Sequence, residues 1–132
     1  MATILSIDDD PALQDIMGAI LGDFGHTVHG AFSGEEGFAL AQSLKPDLIL
    51  LDMMLPTLNG LEVLKLLKAD PALRSIPVFM VTGMSGEAPF NESGARALGA
   101  VQFLRKPVQS ERLANLIDST LKSARGGSPP AA

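Results

Sequence analysis

Five short apolar runs punctuate this chain, at residues 3–7, 27–32, 47–51, 77–81 and 100–104. Leu48-Ile49-Leu50-Leu51 and Val78-Phe79-Met80-Val81 are apolar at every position. Such runs suit strands covered on both faces, as in a parallel sheet. Between them the apolar spacing turns helical. Asp10 is placed to cap a first helix with Pro11 at its first position. Its apolar stripe is Leu13, Ile16, Met17, Ile20, Leu21 and Phe24, with Gln14 and Asp15 on the outer face. Ser33-Gly34-Glu35-Glu36 reads as a capping box for a second helix, and Asn59-Gly60-Leu61-Glu62 as a near relative for a third. The third helix packs through Leu61, Leu64 and Leu67 or Leu66 and ends at Asp70-Pro71. A last helix spans residues 110–123, with Leu113, Leu116, Ile117 and Leu121 inward.

A fourth helix falls within 91–98. Glycines at 83, 86, 94 and 99 and a proline at 89 crowd this region. Each glycine inside a helix costs about 1 kcal/mol relative to alanine, so this helix is expected to be short or partly unwound. Residues 84–98 are therefore expected to carry any conformational switch.

Strict alternation of strand and helix predicts an α/β fold, a doubly wound five-stranded parallel sheet with five helices. Ligands of such folds bind beyond the carboxyl ends of the strands. The expected domain is residues 1–124, with 125–132 as a flexible tail or linker stub rich in Gly, Ser and Pro.

Composition narrows the function. The chain has 132 residues, a formal net charge of -5 and no cysteine, which excludes disulfides, thiolate metal sites and cysteine nucleophiles. The sequence pI of about 4.8 argues against direct nucleic-acid binding, which needs a basic face. No run approaches the ~20 apolar residues of a membrane span, and the first residues lack the basic region of a signal peptide. The expected location is cytoplasmic, without membrane insertion.

The polar residues that end the strands carry the chemistry. Strand one ends in Asp8-Asp9-Asp10, strand three in Asp52, strand four in Thr82-Gly83 and strand five in Arg105-Lys106-Pro107. Two carboxylates ~4 Å apart repel by about 4 kcal/mol at an effective dielectric near 20. Asp8, Asp9 and Asp52 together therefore call for a cation, and Mg2+ fits a site of carboxylates, waters and a phosphate oxygen. A lysine beside them neutralises further charge and a threonine hydroxyl donates a hydrogen bond. Asp10 is better explained as a helix cap. These parts suit phosphoryl transfer onto a carboxylate.

With these residues in view, the chain resembles the receiver domain of bacterial two-component response regulators, of the stand-alone chemotaxis-regulator-like type. The resemblance runs over residues 2–124. It is carried by Ile4-Leu5-Ser6-Ile7-Asp8-Asp9-Asp10-Pro11, Pro46-Asp47-Leu48-Ile49-Leu50-Leu51-Asp52-Met53-Met54-Leu55-Pro56, Asn59-Gly60, Val81-Thr82-Gly83, Gly99-Ala100 and Phe103-Leu104-Arg105-Lys106-Pro107. The resemblance implies a flavodoxin-like sheet of strand order 2-1-3-4-5. It implies Asp52 as phosphoacceptor, Asp9 as a direct metal ligand, Asp8 acting mainly through water, and the Met54 backbone carbonyl as a further ligand. Thr82 and Lys106 would contact the phosphoryl group, Phe103 would change rotamer with Thr82, and the peptide before Pro107 would be cis.

The implied donor is a sensor histidine kinase or a histidine phosphotransfer protein, and the output is a downstream target protein. Arg96, Gln102, Arg105, Gln109 and Arg112 stand on the expected output face, and Met17 and Pro107 are candidates for a kinase-docking patch. Apolar Met54 and Met84 cannot orient a hydrolytic water, so slow self-dephosphorylation is expected. His26 and His29 read as exposed strand residues. A metal-dependent phosphatase would need a second acid where Met54 stands, and a non-phosphorylated interaction module would lack one of the acids or the lysine. The resemblance thus implies a phosphoacceptor signalling domain, not an enzyme.

Overall fold

Every apolar run forms a strand. The computed structural model describes residues 2–83 and 90–125. In chain order the elements are β1 (Thr3–Ile7), α1 (Pro11–Asp23), β2 (Thr27–Ala31), α2 (Gly34–Leu44), β3 (Leu48–Leu51), α3 (Gly60–Ala69), β4 (Val78–Thr82), α4 (Glu92–Ala97), β5 (Gln102–Arg105) and α5 (Ser110–Arg125). The strands pair in parallel as one sheet in the order β2-β1-β3-β4-β5. One strand end differs from the apolar pattern, and two lie at the polar residues expected to end them. β2 stops at Ala31, before exposed Phe32, while β4 and β5 continue to polar Thr82 and Arg105, which pair with each other. Apolar residues mark where the sheet is covered, but pairing continues past the covered part.

Alternate strand residues feed two cores. Leu5, Ile7, Ile49, Leu51, Val78 and Met80 pack against Ala41, Val63, Leu64, Leu67 and Ala95 of α2, α3 and α4. Ile4, Leu48, Leu50, Phe79 and Val81 pack against Met17 and Leu21 of α1 and Leu113, Ile117 and Leu121 of α5. Leu67, not Leu66, is the inward residue of α3.

The caps hold with one change. Asp10 accepts from the backbone of Ala12 and Leu13, and Asn59 and Glu62 form a reciprocal box. Ser33 caps α2, but Glu36 reaches back to the Phe32 N–H at 2.7 Å, one residue beyond the expected partner, Ser33. α4 is short, as expected, with Asn91 as its cap. Of the switch segment, residues 84–89 lie outside the described residues, as do Met84 and residues 126–132. α5 runs through Arg125, one residue past the expected domain end.

Three expectations about side chains fail. Ile16 and Phe24 of the predicted inward stripe are exposed. Phe24 is the C-cap, where the chain turns away through Gly25 at φ 89°. Gln14, expected outside, is buried. His26 is not exposed: its side chain is 5% accessible, with Nε2 3.6 Å from Asp118 Oδ1 of α5.

Candidate functional site

The register of the sheet places the acids. Ile7 of β1 pairs with Leu51 of β3, and the Asp52 N–H donates to the Ile7 carbonyl at 2.9 Å. The next residue on each strand is an aspartate, so Asp8 and Asp52 emerge side by side. The Asp8 N–H donates to Ala31 of β2 at 3.0 Å. Asp9, Asp8 and Asp52 each offer a carboxylate oxygen, all within 4.8 Å of one another. Asp8 and Asp52 are buried and Asp9 is exposed, so the cluster opens to solvent on one side.

Lys106 follows β5 and closes the other side. Its Nζ lies 2.6 Å from Asp8 Oδ2 and 3.5 Å from Asp52 Oδ2. Its own N–H donates to the Thr82 carbonyl at 2.9 Å, and the peptide to Pro107 is cis. Burial raises the pKa of Asp8 above the ordinary carboxylate value, although the Lys106 hydrogen bond and the Asp10 N–H pull the other way. Burial alone would lower Lys106, but its hydrogen bond to Asp8 and the charges of Asp52 and Asp8 outweigh this and raise it. Three carboxylates against one ammonium leave an excess of negative charge. That all-oxygen donor set suits a hard divalent cation.

Local structure fixes Asp52 from below. Its Oδ1 accepts the Met54 N–H at 3.1 Å, and Gly60 at the start of α3 donates to the Met53 carbonyl at 2.9 Å. A Cβ on Gly60 would stand 2.2 Å from the Asp52 carbonyl oxygen, so only glycine lets α3 begin there. Met54 itself is 47% exposed at the rim. Thr82 ends β4 and is buried. Phe103 pairs with Met80, two residues before Thr82, and packs on the α2–α4 side of the sheet. The structure thus brings Asp8, Asp9, Asp52 and Lys106 together, as expected from the strand ends. Sequence reasoning missed Gln14, whose side-chain amide lies behind Asp8, because a polar residue leaves no mark in a hydrophobic pattern.

Beside the cluster is a mostly apolar groove of about 410 Å³ between α1 and the loop after β5, lined by Ile16, Met17, Ile20, Pro107 and Val108 with Lys106 at its edge. Ile16 is 53% exposed there.

The chain matches the response regulator receiver domain family over residues 4–118. It belongs to that family. The receiver is 37% identical over 121 residues to protein PilH of Pseudomonas aeruginosa, covering 92% of this chain and 98% of PilH. It is 38% identical over 122 residues to the DNA-binding dual master transcriptional regulator RpaA of Synechocystis, covering 92% of this chain and 50% of RpaA. A CheY-like receiver domain from Methanospirillum hungatei superposes with a TM-score of 0.87 at 30% identity, covering 97% of this chain and 99% of that one. The protein is thus a receiver domain of the two-component response regulators. Among the described residues, no helix is long and apolar enough to cross a membrane.

Proposed function

We propose that this receiver accepts a phosphoryl group on Asp52 from the phosphohistidine of a sensor kinase or phosphotransfer protein. The observation that carries the reading is the meeting of Asp8, Asp9 and Asp52 within 4.8 Å, with Lys106 against two of them. An Asp52 carboxylate oxygen attacks phosphorus, the O–P bond forms, and the bond to the imidazole nitrogen breaks. Asp8, Asp9, Asp52 and the Met54 carbonyl would hold Mg2+, which when bound screens the carboxylates from the incoming phosphoryl oxygens. Lys106 pairs with those oxygens, and the Thr82 hydroxyl hydrogen-bonds to one of them.

The acyl phosphate adds roughly two negative charges at the end of β3. Movement of Thr82 toward it frees space for Phe103, and the face of α4, β5 and α5 repacks. A target that prefers the repacked face then reads the state as a population shift. Arg96, Gln102, Arg105, Gln109 and Arg112 belong to that face. The apolar groove beside the acids, through Ile16, Met17 and Pro107, receives the donor protein. Met54 offers no hydrogen bond to a hydrolytic water, so phospho-Asp52 is long-lived and Met54→Asn shortens its life. The working unit is residues 1–124, in the cytoplasm, as an acceptor in signalling rather than an enzyme acting on a separate substrate.

Intact mass after incubation with acetyl phosphate and Mg2+ tests the proposal. One phosphoryl group should appear on the wild type, and none on Asp52→Asn or without metal. A folded wild type that gains no mass would overturn it in favour of a non-phosphorylated interaction module.

A further inference from the structure

Gln14 lies on α1, one turn beyond the acidic pair, and is 8% exposed. Its backbone N–H closes the first turn of the helix on the Asp10 carbonyl at 3.1 Å. Its side-chain Nε2 reaches three backbone carbonyls, Ser6 at 2.8 Å, Asp8 at 3.1 Å and Ala31 at 2.9 Å. A primary amide has only two hydrogens, so three acceptors share them. The same Ala31 carbonyl also accepts the Asp8 N–H. Gln14 Oε1, meanwhile, is buried with no hydrogen-bond partner among the described residues.

A buried amide with an unsatisfied oxygen is a costly way to fill space, since a methionine or leucine would occupy it without that penalty. What the amide supplies is a clasp. It joins the ends of β1 and β2 to the first turn of α1. The Asp8 carbonyl belongs to the peptide that also carries the Asp9 nitrogen, so holding it sets the plane from which both acidic residues project. The neighbouring strand makes room for the clasp: a Cβ on Gly30 would stand 3.3 Å from Gln14 Cδ.

We propose that Gln14 is a positioning residue for the acidic pair, fixing the Asp8–Asp9 peptide so that the carboxylates meet a divalent cation. This rests on the reading of the acidic cluster as a Mg2+ site. Removing a group that orients a metal ligand typically weakens metal binding by ten- to a hundredfold. Since Gln14 acts through backbone, the lower end applies.

The test is a Mg2+ titration of the full chain followed by backbone amide chemical shifts, with no phosphodonor present. Gln14→Leu should bind Mg2+ on the order of tenfold more weakly. Gly30→Ala, which crowds the amide without removing it, should weaken it by about two- to threefold. Leu121→Ala, in the α5 core away from the acids, should lose urea stability yet keep the wild-type Kd. If Gln14→Leu does not fold, Gly30→Ala carries the test alone. Wild-type Kd in every folded variant at positions 14 and 30 would overturn the proposal while leaving the metal site standing. Equal weakening in Leu121→Ala would overturn it too, because the effect would then be general loosening. A wild type that does not bind Mg2+ would instead remove the metal reading, and the role of Gln14 with it.

Discussion

Lys106 Nζ is nearer to Asp8 Oδ2, at 2.6 Å, than to Asp52 Oδ2, at 3.5 Å. The lysine therefore compensates the buried member of the acidic pair first and the proposed acceptor second. Lys106→Met removes that compensation and leaves Asp8 buried among like charges. Leaving a buried charged acceptor without its donor should cost about 2 kcal/mol. Urea unfolding in a chelator should show this loss, and added Mg2+ should recover part of it by taking over the same carboxylate. Equal stability of variant and wild type in the chelator would contradict this reading of the pair.

Gly60 and Gly18 are both helical, yet alanine should act oppositely at the two. A Cβ at Gly18 of α1 meets nothing within 4 Å, so Gly18→Ala should stabilise by about 1 kcal/mol through helix propensity. At Gly60 the new carbon would run into the Asp52 carbonyl oxygen and the Met53 Cα. There the helix start must retreat, at a cost of about 2 kcal/mol or more. The urea midpoints of the two variants should lie on either side of the wild type. Gly60→Ala should also slow phosphorylation, because the displaced backbone is that of Asp52.

A substitution in the groove next to the acids should separate the two proposed routes of phosphorylation. Ile16→Asp places a charge in a wall that is otherwise almost wholly apolar. Transfer from a phosphorylated donor protein should fall by roughly tenfold or more, as for loss of a central apolar contact. Phosphorylation by acetyl phosphate, which needs no docking, should be unchanged. Parallel loss in both assays would place Ile16 in the chemistry or in folding rather than in docking.

Two lysines give the alkaline stability profile opposite slopes. Burial holds Lys68 below the ordinary lysine value of 10.5, its ammonium donating to the Arg74 and Ile76 carbonyls. Between its folded value and 10.5 the unfolded chain binds the extra proton, so stability rises with pH through that window. Lys106 is raised above 10.5, so the unfolded chain releases its proton first and stability falls as pH climbs from 10.5 to the folded value. Urea unfolding at stepped alkaline pH should lose its rising limb in Lys68→Met and its falling limb in Lys106→Met. A profile that neither variant alters would contradict both assignments.

Much of this was legible in the chain because its signals were local. Asp10, Ser33 and Asn59 declare helix starts through hydrogen bonds within three residues of themselves. Asp52 follows a fully apolar run and Asp8 a largely apolar one, so their position at the strand ends needed no knowledge of the tertiary fold. What failed depended on partners distant in sequence. Gln14 is buried because three backbone carbonyls converge on it, one from β2. Ile16 is exposed because the loop after β5 stops short of covering it and leaves a groove. His26 is covered by α5, more than ninety residues onward, whose Asp118 stands beside it. No periodicity within α1 or β2 contains that information.

The parallel sheet sends every strand the same way, so the loops divide into two rims. One carries Asp8, Asp9, Asp52, Thr82 and Lys106. The other, formed by the turns that enter β2, β3, β4 and β5, holds none of them. Sequence can be added, removed or diversified on that second rim without touching the acidic cluster or Lys106. The fold thus leaves one end free to acquire new attachments while the acidic cluster at the other stays as it is.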